Sequence, residues 1–436
     1  MDTSRTKDFR VAIVGGGVCG LTCAIALAKK GVPVDVFESA GEFLEIGAGV
    51  GLGPNSVRIL RGLGVFEDVL AKSTDPDLNM NAFRFISGYE GHEVLYDNPL
   101  PKEDCGIGIL RSACFVVPAF AFLNALVGHF DKSKAHFHKR CTNVTPSAQN
   151  PSRLVLAFAD GTTYEADLVI GADGIRSSVR SIVTGRPSDA NLSFSNTIAY
   201  RALVSWDQLK DKGLKTDLTK GMTCFAGKGR HIIVYPINGG KTINVVAFVT
   251  NMDGDIPVGN GKLPLGAQWV CDAPKDELLS KYEEFGSDIK TLLSCVRKSS
   301  KWSIHIVYPP LESYVNGRIA LVGDSAHAMR THLGAGAGQG LEDGYVLSHL
   351  LGHPSANANN LEQVLQVYDG VRRPRAQEIW ERTARTGEIY EGRGPSGFSP
   401  EGFTKDLTYN WECVWHHDLD GDIQAAVKQL EEAGVF

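Results

Sequence analysis

Nine cysteines are scattered through 436 residues with no CxxC pair and no zinc-type spacing. A disulfide framework and a structural zinc site are therefore not expected, and reduced thiols in a cytoplasmic protein are. The longest apolar stretch, Phe115 to Val127, is broken by Pro118 and Asn124 and is too short to cross a bilayer, so no membrane span is expected. Residues Met1 to Arg10 carry charges where an export signal needs an apolar core. There is no surplus of positive charge: 44 Lys and Arg stand against 50 acids, for a net charge of -6, which argues against a nucleic-acid partner. Internal repeats, low-complexity segments and a G-x-S-x-G elbow after a strand are also missing, and the last absence excludes a serine hydrolase. The length allows two or three domains with substantial cores. Glycine is what the chain has in quantity, 48 residues, and its placement carries the information.

Three glycine-and-acid signatures occur in a fixed order. Val11 to Val14 reads as a buried parallel strand, and Gly15-x-Gly17-x-x-Gly20 turns it directly into a small-residue helix from Leu21 to Lys29. Gly15 suits the tight turn, Gly17 a close approach to a pyrophosphate, and Gly20 close helix–strand packing. A second strand, Val34 to Phe37, ends at Glu38, where such a fold places an acid for a ribose hydroxyl. The second signature is Asp173-Gly174 after the strand Leu168 to Ile170. The third is Gly323-Asp324 after the strand Ile319 to Val322, followed by Gly334-Ala-Gly336-Ala337-Gly338 opening a helix near Gln339. That small-residue helix start exposes backbone N–H groups to an electron-rich ligand edge, such as the pyrimidine end of a reduced flavin. In a flavin site Asp324 would meet the ribityl hydroxyls.

Between these signatures the pattern changes. Helices are expected from Gly53-Pro54-Asn55 to Leu63, from Phe122 to Phe130 and from about Ser177, with a hairpin between Arg153 and Tyr164. Alternating strands at Ile198–Ser205, Met222–Ala226, His231–Ile237 and Thr242–Thr250 suggest an antiparallel sheet inserted into the nucleotide-binding fold. Helices are expected to dominate after Gly336.

With Glu38, Asp173-Gly174-Ile-Arg-Ser177-Ser-Val-Arg180 and Gly323-Asp324-Ser-Ala-His327-Ala-Met on the page, the chain resembles the single-component FAD-dependent aromatic hydroxylases over most of its length. Gly334 to Asp343 and Trp415-His-His-Asp418 are most similar to the salicylate-hydroxylase branch, with its fungal decarboxylating and dearomatising relatives. The resemblance implies an α/β fold: a doubly wound FAD-binding domain, an inserted antiparallel β-sheet substrate domain and a helical C-terminal part. The corresponding divisions are 8–80, 105–190 and 300–380 for the FAD domain, 81–104 and 191–299 for the sheet domain, and 381–436 for the helical segment. FAD would be the cofactor and NADH or NADPH the co-substrate, with no second G-x-G-x-x-G required. The cofactor set carried over is Gly15, Gly17, Val18, Gly20, Glu38, Ser39, Val50, Arg111, Asp173, Asp324, Gly334, Gly336 and Ala337. Where the family loop reads Thr-Pro-His-Gln-Gly, this chain has Arg330-Thr331-His332-Leu333-Gly334. Residues 114–121 are an extra apolar segment between Arg111 and the helix at Phe122.

The implied activity is hydroxylation of a phenolic acid of the salicylate or hydroxybenzoate type by way of a flavin C4a-hydroperoxide, with decarboxylation where the carboxylate sits on the carbon attacked. Small phenol, O2 and NAD(P)H are the implied partners, and a homodimer is left open. Dearomatising hydroxylation of a phenol, a flavin oxidase or dehydrogenase without oxygen insertion, and a non-catalytic nucleotide binder are the alternatives. Alternation places Arg201 on one face with Ala199 and Leu203, and His231, Ile233 and Tyr235 on one face of the next motif. Arg201 and Tyr235 resemble pocket residues that hold a phenolate, the alternative being an ion-paired arginine and a core tyrosine. His332 is either a substrate contact or a loop histidine satisfied by backbone, and His327 reads as structural. His416 and His417 lack spaced metal-ligating partners, so no metal is expected.

Overall fold

The computed structural model describes residues 6–43, 50–72, 82–99, 115–117, 119–251, 263 and 267–436. Val11–Val14 is buried at every position, as a strand covered on both faces must be. It pairs in parallel with Leu168–Gly171 on one side and Val34–Phe37 on the other. Ile319–Leu321 and Ala135–His136 extend this parallel sheet outward, and Val315–Asn316 adds an antiparallel edge. The first helix, Val18–Lys29, buries Leu21, Ala24, Ile25 and Leu27. A glycine-rich helix, Gly336–Leu351, crosses it so closely that a Cβ at Gly340 would lie 2.2 Å from the Cys19 sulfur. Only glycine permits that approach.

The second sheet has eight strands, in the order Val270–Ala273, Ser299–Val307, Leu192–Ser205, Thr242–Thr250, Arg230–Ile237, Met222–Gly227, Ala82–Ser87 and Val94–Pro99. All neighbours are antiparallel except Met222–Gly227 beside Ala82–Ser87. Two-residue alternation divides its side chains. Tyr200, Ala202, Ile232 and Val234 pack with Tyr282, Phe285, Ile289 and Leu292 beneath the sheet, while Arg201, His231, Ile233 and Tyr235 turn to the opposite face.

The strand Leu192–Ser205 begins six residues before the alternating run at Ile198, because a register shift between Phe194 and Ile198, with Asn196 at φ 61°, interrupts the pattern. Residues 300–307, expected with the nucleotide-binding layer, instead pair with this strand in the eight-stranded sheet. The expected division at 380 falls inside the unbroken helix Leu361–Tyr390. Within the extra segment 114–121, Phe115–Val117 pairs antiparallel with Val50–Leu52, and Ala119 already opens the helix Ala119–Val127. Helices Pro400–Leu407, Glu412–Trp415 and Leu419–Glu432 complete the chain. Phe403, Leu407, Trp411 and Trp415 pack with Phe85 and Tyr390 against the open face of the eight-stranded sheet.

Candidate active site between the two sheets

The three glycine signatures, distant in sequence, meet in space. A Cβ at Gly15, whose φ is 107°, would lie 2.3 Å from the Ala172 carbonyl oxygen, so the first turn touches the backbone just before Asp173. Cys19 in turn abuts Gly323 as well as Gly340, which brings the Asp324 loop and the glycine-rich helix against the same turn. Gly17 and Val18 begin the first helix with no side-chain cap and no acid in the first turn, leaving its N–H groups for an anion. A Cβ at Gly20 would lie 2.0 Å from the Gly15 carbonyl oxygen. Glu38 accepts from the backbone N–H groups of Gly16 at 2.8 Å and Ala40 at 2.7 Å, and from the Ser39 hydroxyl at 3.1 Å.

Asp173 caps a helix here. Its carboxylate accepts from Ser177 Oγ, from both N–H and Oγ of Ser178, and from the Val179 N–H, at the start of Ser178–Thr184. Arg180, buried behind it, donates to the Ser325 carbonyl at 3.1 Å and ties this segment to the Asp324 loop. Asp343 accepts from the Gly323 N–H at 2.8 Å and from His327 Nε2 at 2.7 Å, so His327 is structural. Arg372 completes the lattice, donating to Asp343, Glu342 and the Gln339 side chain at 2.8 to 2.9 Å.

A cavity of about 390 Å3 opens between this lattice and the second sheet. At one end lie Val50, Asp324, Gly334, Gly336, Ala337 and Gly338. Asp324 is exposed to the opening and accepts no hydrogen bond among the described residues; the protein packed around it raises its carboxyl above the ordinary value, against the pull of His327 and Arg180. The helix start at Gly336 likewise has no side-chain cap and no acid in its first turn. A partnerless carboxylate for hydroxyls and open N–H groups for an electron-rich ring edge fit the ribityl and pyrimidine parts of FAD, with the Gly15–Gly20 turn for the pyrophosphate. Arg111 lies outside the described residues.

The other end is lined by Arg201, His231, Ile233, Tyr235, Phe248 and His332, with His231, Ile233 and Tyr235 on one face as the alternation anticipates. Leu203 departs from that grouping: it is 58% exposed, beyond the cavity's edge. Arg201 lies over the Trp302 ring at 4.6 Å and has no carboxylate within ion-pair distance among the described residues. Burial lowers its pKa, opposed by Tyr235, and burial pushes the Tyr235 hydroxyl up to about 12. His332 is buried and neither ring nitrogen meets hydrogen-bond geometry; burial and then His231 push its pKa down to about 3, opposed by Glu391 and by the Thr383 backbone.

Sequence reasoning assigned no role to Arg330, Glu391 or the aromatic wall of Phe83, Tyr390, Trp411 and Trp415. Arg330 was visible only as a departure from the family loop, and Trp415 only within the Trp415-His-His-Asp418 resemblance. His416 and His417 pair with Glu412 and Asp422. The one trio of close metal-ligating groups among the described residues is His231, His332 and Glu391, whose ligand atoms lie within 4.8 Å of one another.

A glycine-turn cradle opening onto an aromatic-lined cavity is the arrangement of an FAD-binding protein. An FAD binding domain family matches residues 8–199 and 272–383. The chain belongs to that family and, within it, to the salicylate hydroxylase-like FAD-dependent monooxygenases: a salicylate hydroxylase of Pseudomonas putida is 38% identical over 434 residues, 97% of this chain and 95% of that one. The FAD-dependent monooxygenase pigN of Monascus ruber is 31% identical over 437 residues, 96% of each chain. A solved salicylate hydroxylase substrate complex is similar with a TM-score of 0.83 and 31% identity, over 96% of this chain and 98% of its own. The protein is thus a flavin-dependent monooxygenase with FAD as cofactor. Among the described residues, no helix is long and apolar enough to cross a membrane.

Proposed function

We propose that the enzyme hydroxylates a small phenolic acid of the salicylate or hydroxybenzoate type, using O2 and NADH or NADPH. Carbon dioxide is lost when the carboxylate occupies the carbon attacked. The observation that carries this reading is Arg201, a cation inside an aromatic pocket with no acid of its own. A buried guanidinium in that state favours a ligand anion, and its planar fork matches a carboxylate.

Bound and reduced, FAD supplies the chemistry that activates oxygen. The chain's part is placement. Gly15, Gly17, Val18 and Gly20 would hold the pyrophosphate, Glu38 and Ser39 the ribose end, and Asp324 the ribityl hydroxyls. Val50, Gly334, Gly336 and Ala337 would flank the ring. Arg201 holds the substrate anion, Tyr235 keeps its proton and donates to it, and neutral His332 is available as a hydrogen-bonding partner. Phe83, Phe248, Tyr390 and Trp411 wall the pocket and exclude water.

The test is a panel of phenolic acids scored together for NAD(P)H consumption, product and carbon dioxide in the presence of labelled O2. Label in a hydroxylated product supports the reading. Cofactor consumption with peroxide alone and no label across the panel overturns it.

A further inference from the structure

The cavity face of the eight-stranded sheet carries a row of side chains longer than one ring requires. Leu203 pairs with Asn244 and Asn244 with Tyr235, while the pairing of Val234 with Thr223 sets Met222 beside Tyr235. Met222 pairs in turn with Phe83, and Phe83 with Asn98. Residues directly opposite in neighbouring strands share a face, so these six point to one side of the sheet. Tyr235, Met222, Phe83 and Asn98 all line the cavity, whereas Asn244 is buried outside it and Leu203 lies beyond its edge. The space therefore runs from Tyr235 away from Leu203, across three strand spacings, or roughly 14 Å. Arg201 and Tyr235, the anchors proposed above, stand at its start. A single ring held there takes up between one and two of those spacings, and the rest of the row lies beyond its reach. Met222 is an unbranched, adaptable side chain, and Phe83 packs against Trp411 and Tyr390 with ring centroids 6.0 and 6.2 Å apart. Asn98, 8% exposed, closes the row with an amide whose oxygen accepts from the Tyr96 hydroxyl at 3.4 Å, a length that leaves it available to a ligand. These residues belong to the sheet and to the segments packed on it, not to the glycine turns fitted to FAD.

We infer that the stretch from Met222 to Asn98 is a second subsite for the substrate, which takes an apolar substituent on the phenolic ring, a chain or a further ring, ending in a hydrogen-bonding group at Asn98. The inference rests on the phenolic reading above and narrows it to phenolic acids extended on the side away from Arg201. Each methylene buried between Met222, Phe83 and Trp411 should tighten binding about three- to fourfold until the chain reaches Asn98. There a methyl tip strands the amide, whereas a hydroxyl tip pairs with it.

The experiment uses holoenzyme and salicylates that carry, at each free ring position in turn, a methyl, butyl or hexyl chain or a hexyl chain ended by a hydroxyl. Affinities are measured by titration calorimetry without NAD(P)H. In the wild type, one positional series should gain about tenfold or more from methyl to butyl, and its hydroxyl-tipped chain should bind at least as tightly as the methyl-tipped one. Met222→Trp, which fills the row, should erase the gain with chain length. Asn98→Leu should turn the tip preference toward methyl by about tenfold, and it carries the test if Met222→Trp does not fold. Affinity that stays flat or falls with chain length in every series, a gain that survives Met222→Trp, or a tip preference untouched by Asn98→Leu overturns the subsite and leaves the phenolic reading standing. No binding of any member, salicylate included, overturns the phenolic reading and this inference with it.

Discussion

Buried charge lies on both sides of the cavity, and the two sides treat it differently. Against the six-stranded sheet, Arg372 meets two carboxylates and a glutamine, Asp343 meets Arg372, His327 and a backbone N–H, and Arg180 donates to backbone carbonyls. Against the eight-stranded sheet, among the described residues, Arg201 has no acid and neither ring nitrogen of His332 has a hydrogen-bond partner. A satisfied lattice of this kind fixes backbone geometry, because removing one member strands the rest. Unsatisfied groups raise the energy of the empty pocket and lower it again when a complementary ligand arrives. The first pattern is that of architecture, and the second is the one the proposed binding site requires.

The contrast can be broken most forcefully on the paired side. Arg372→Met should strand Glu342 and Asp343 and destabilise the fold by about 3–5 kcal/mol, measured by denaturant unfolding, with FAD lost in parallel. A stable, yellow variant would show that the lattice does not hold the cradle. On the unpaired side, Arg201→Ala should cost about 2–4 kcal/mol in kcat/KM for a phenolic acid, with unfolding midpoint unchanged or raised. Unaltered kinetics would remove Arg201 from the pocket. Asp324→Ala lies at the border of the two regions; it should leave the fold intact and weaken FAD retention by about 1–3 kcal/mol, read by flavin titration of the apoprotein. Full flavin occupancy at equal affinity would deny its ribityl role.

Two smaller effects sharpen the comparison. Gly340→Ala forces a methyl against the Cys19 sulfur and should destabilise by about 1–3 kcal/mol, and Cys19→Ala in the same chain should recover most of it. The depressed pKa of His332, about 3, sets a pH dependence whose sign is definite. Because the unfolded chain takes up the proton first, stability is full above the unfolded histidine value and falls as pH drops toward 3, by at most about 1.4 kcal/mol per pH unit. Glu391, lowered to about 2, adds a loss of the same sign only below the ordinary glutamate range. Between pH 6.5 and 4.5 the half-buried His305, His349 and His353, also lowered by burial, add losses of the same sign, and His332→Gln should reduce the slope by its own share. An unchanged slope would place the titration elsewhere.

Much of the cradle was legible because it depends on what backbone can do. Gly15, Gly20 and Gly338 must be small for contacts that a Cβ would block, and Gly334 takes a φ of 62° that favours glycine, so residue type and spacing are visible together. Alternation exposed the pocket face of His231, Ile233 and Tyr235 for the same reason: period two is a property of the strand itself. The strand Ser299–Val307 escaped notice because five of its nine side chains are polar or charged, Ser299, Ser300, Lys301, Ser303 and His305, and its longer partner, Leu192–Ser205, is distant in sequence. Glu391 and Arg330 were illegible on different grounds. Each matters through neighbours on other elements, and no local pattern records that.

From the order of residues alone came the nucleotide-binding turn, the three motifs that meet in space, the inserted sheet and the family. These follow from local backbone constraints, which act over a few residues and leave a fixed spacing behind. Only the folded chain decided that Asp173 caps a helix, that Arg201 lacks an acid while Arg372 has two, and that Tyr235, Met222, Phe83 and Asn98 fall in one row. Those outcomes depend on which side chains meet across distant segments, and burial gives such meetings their energy.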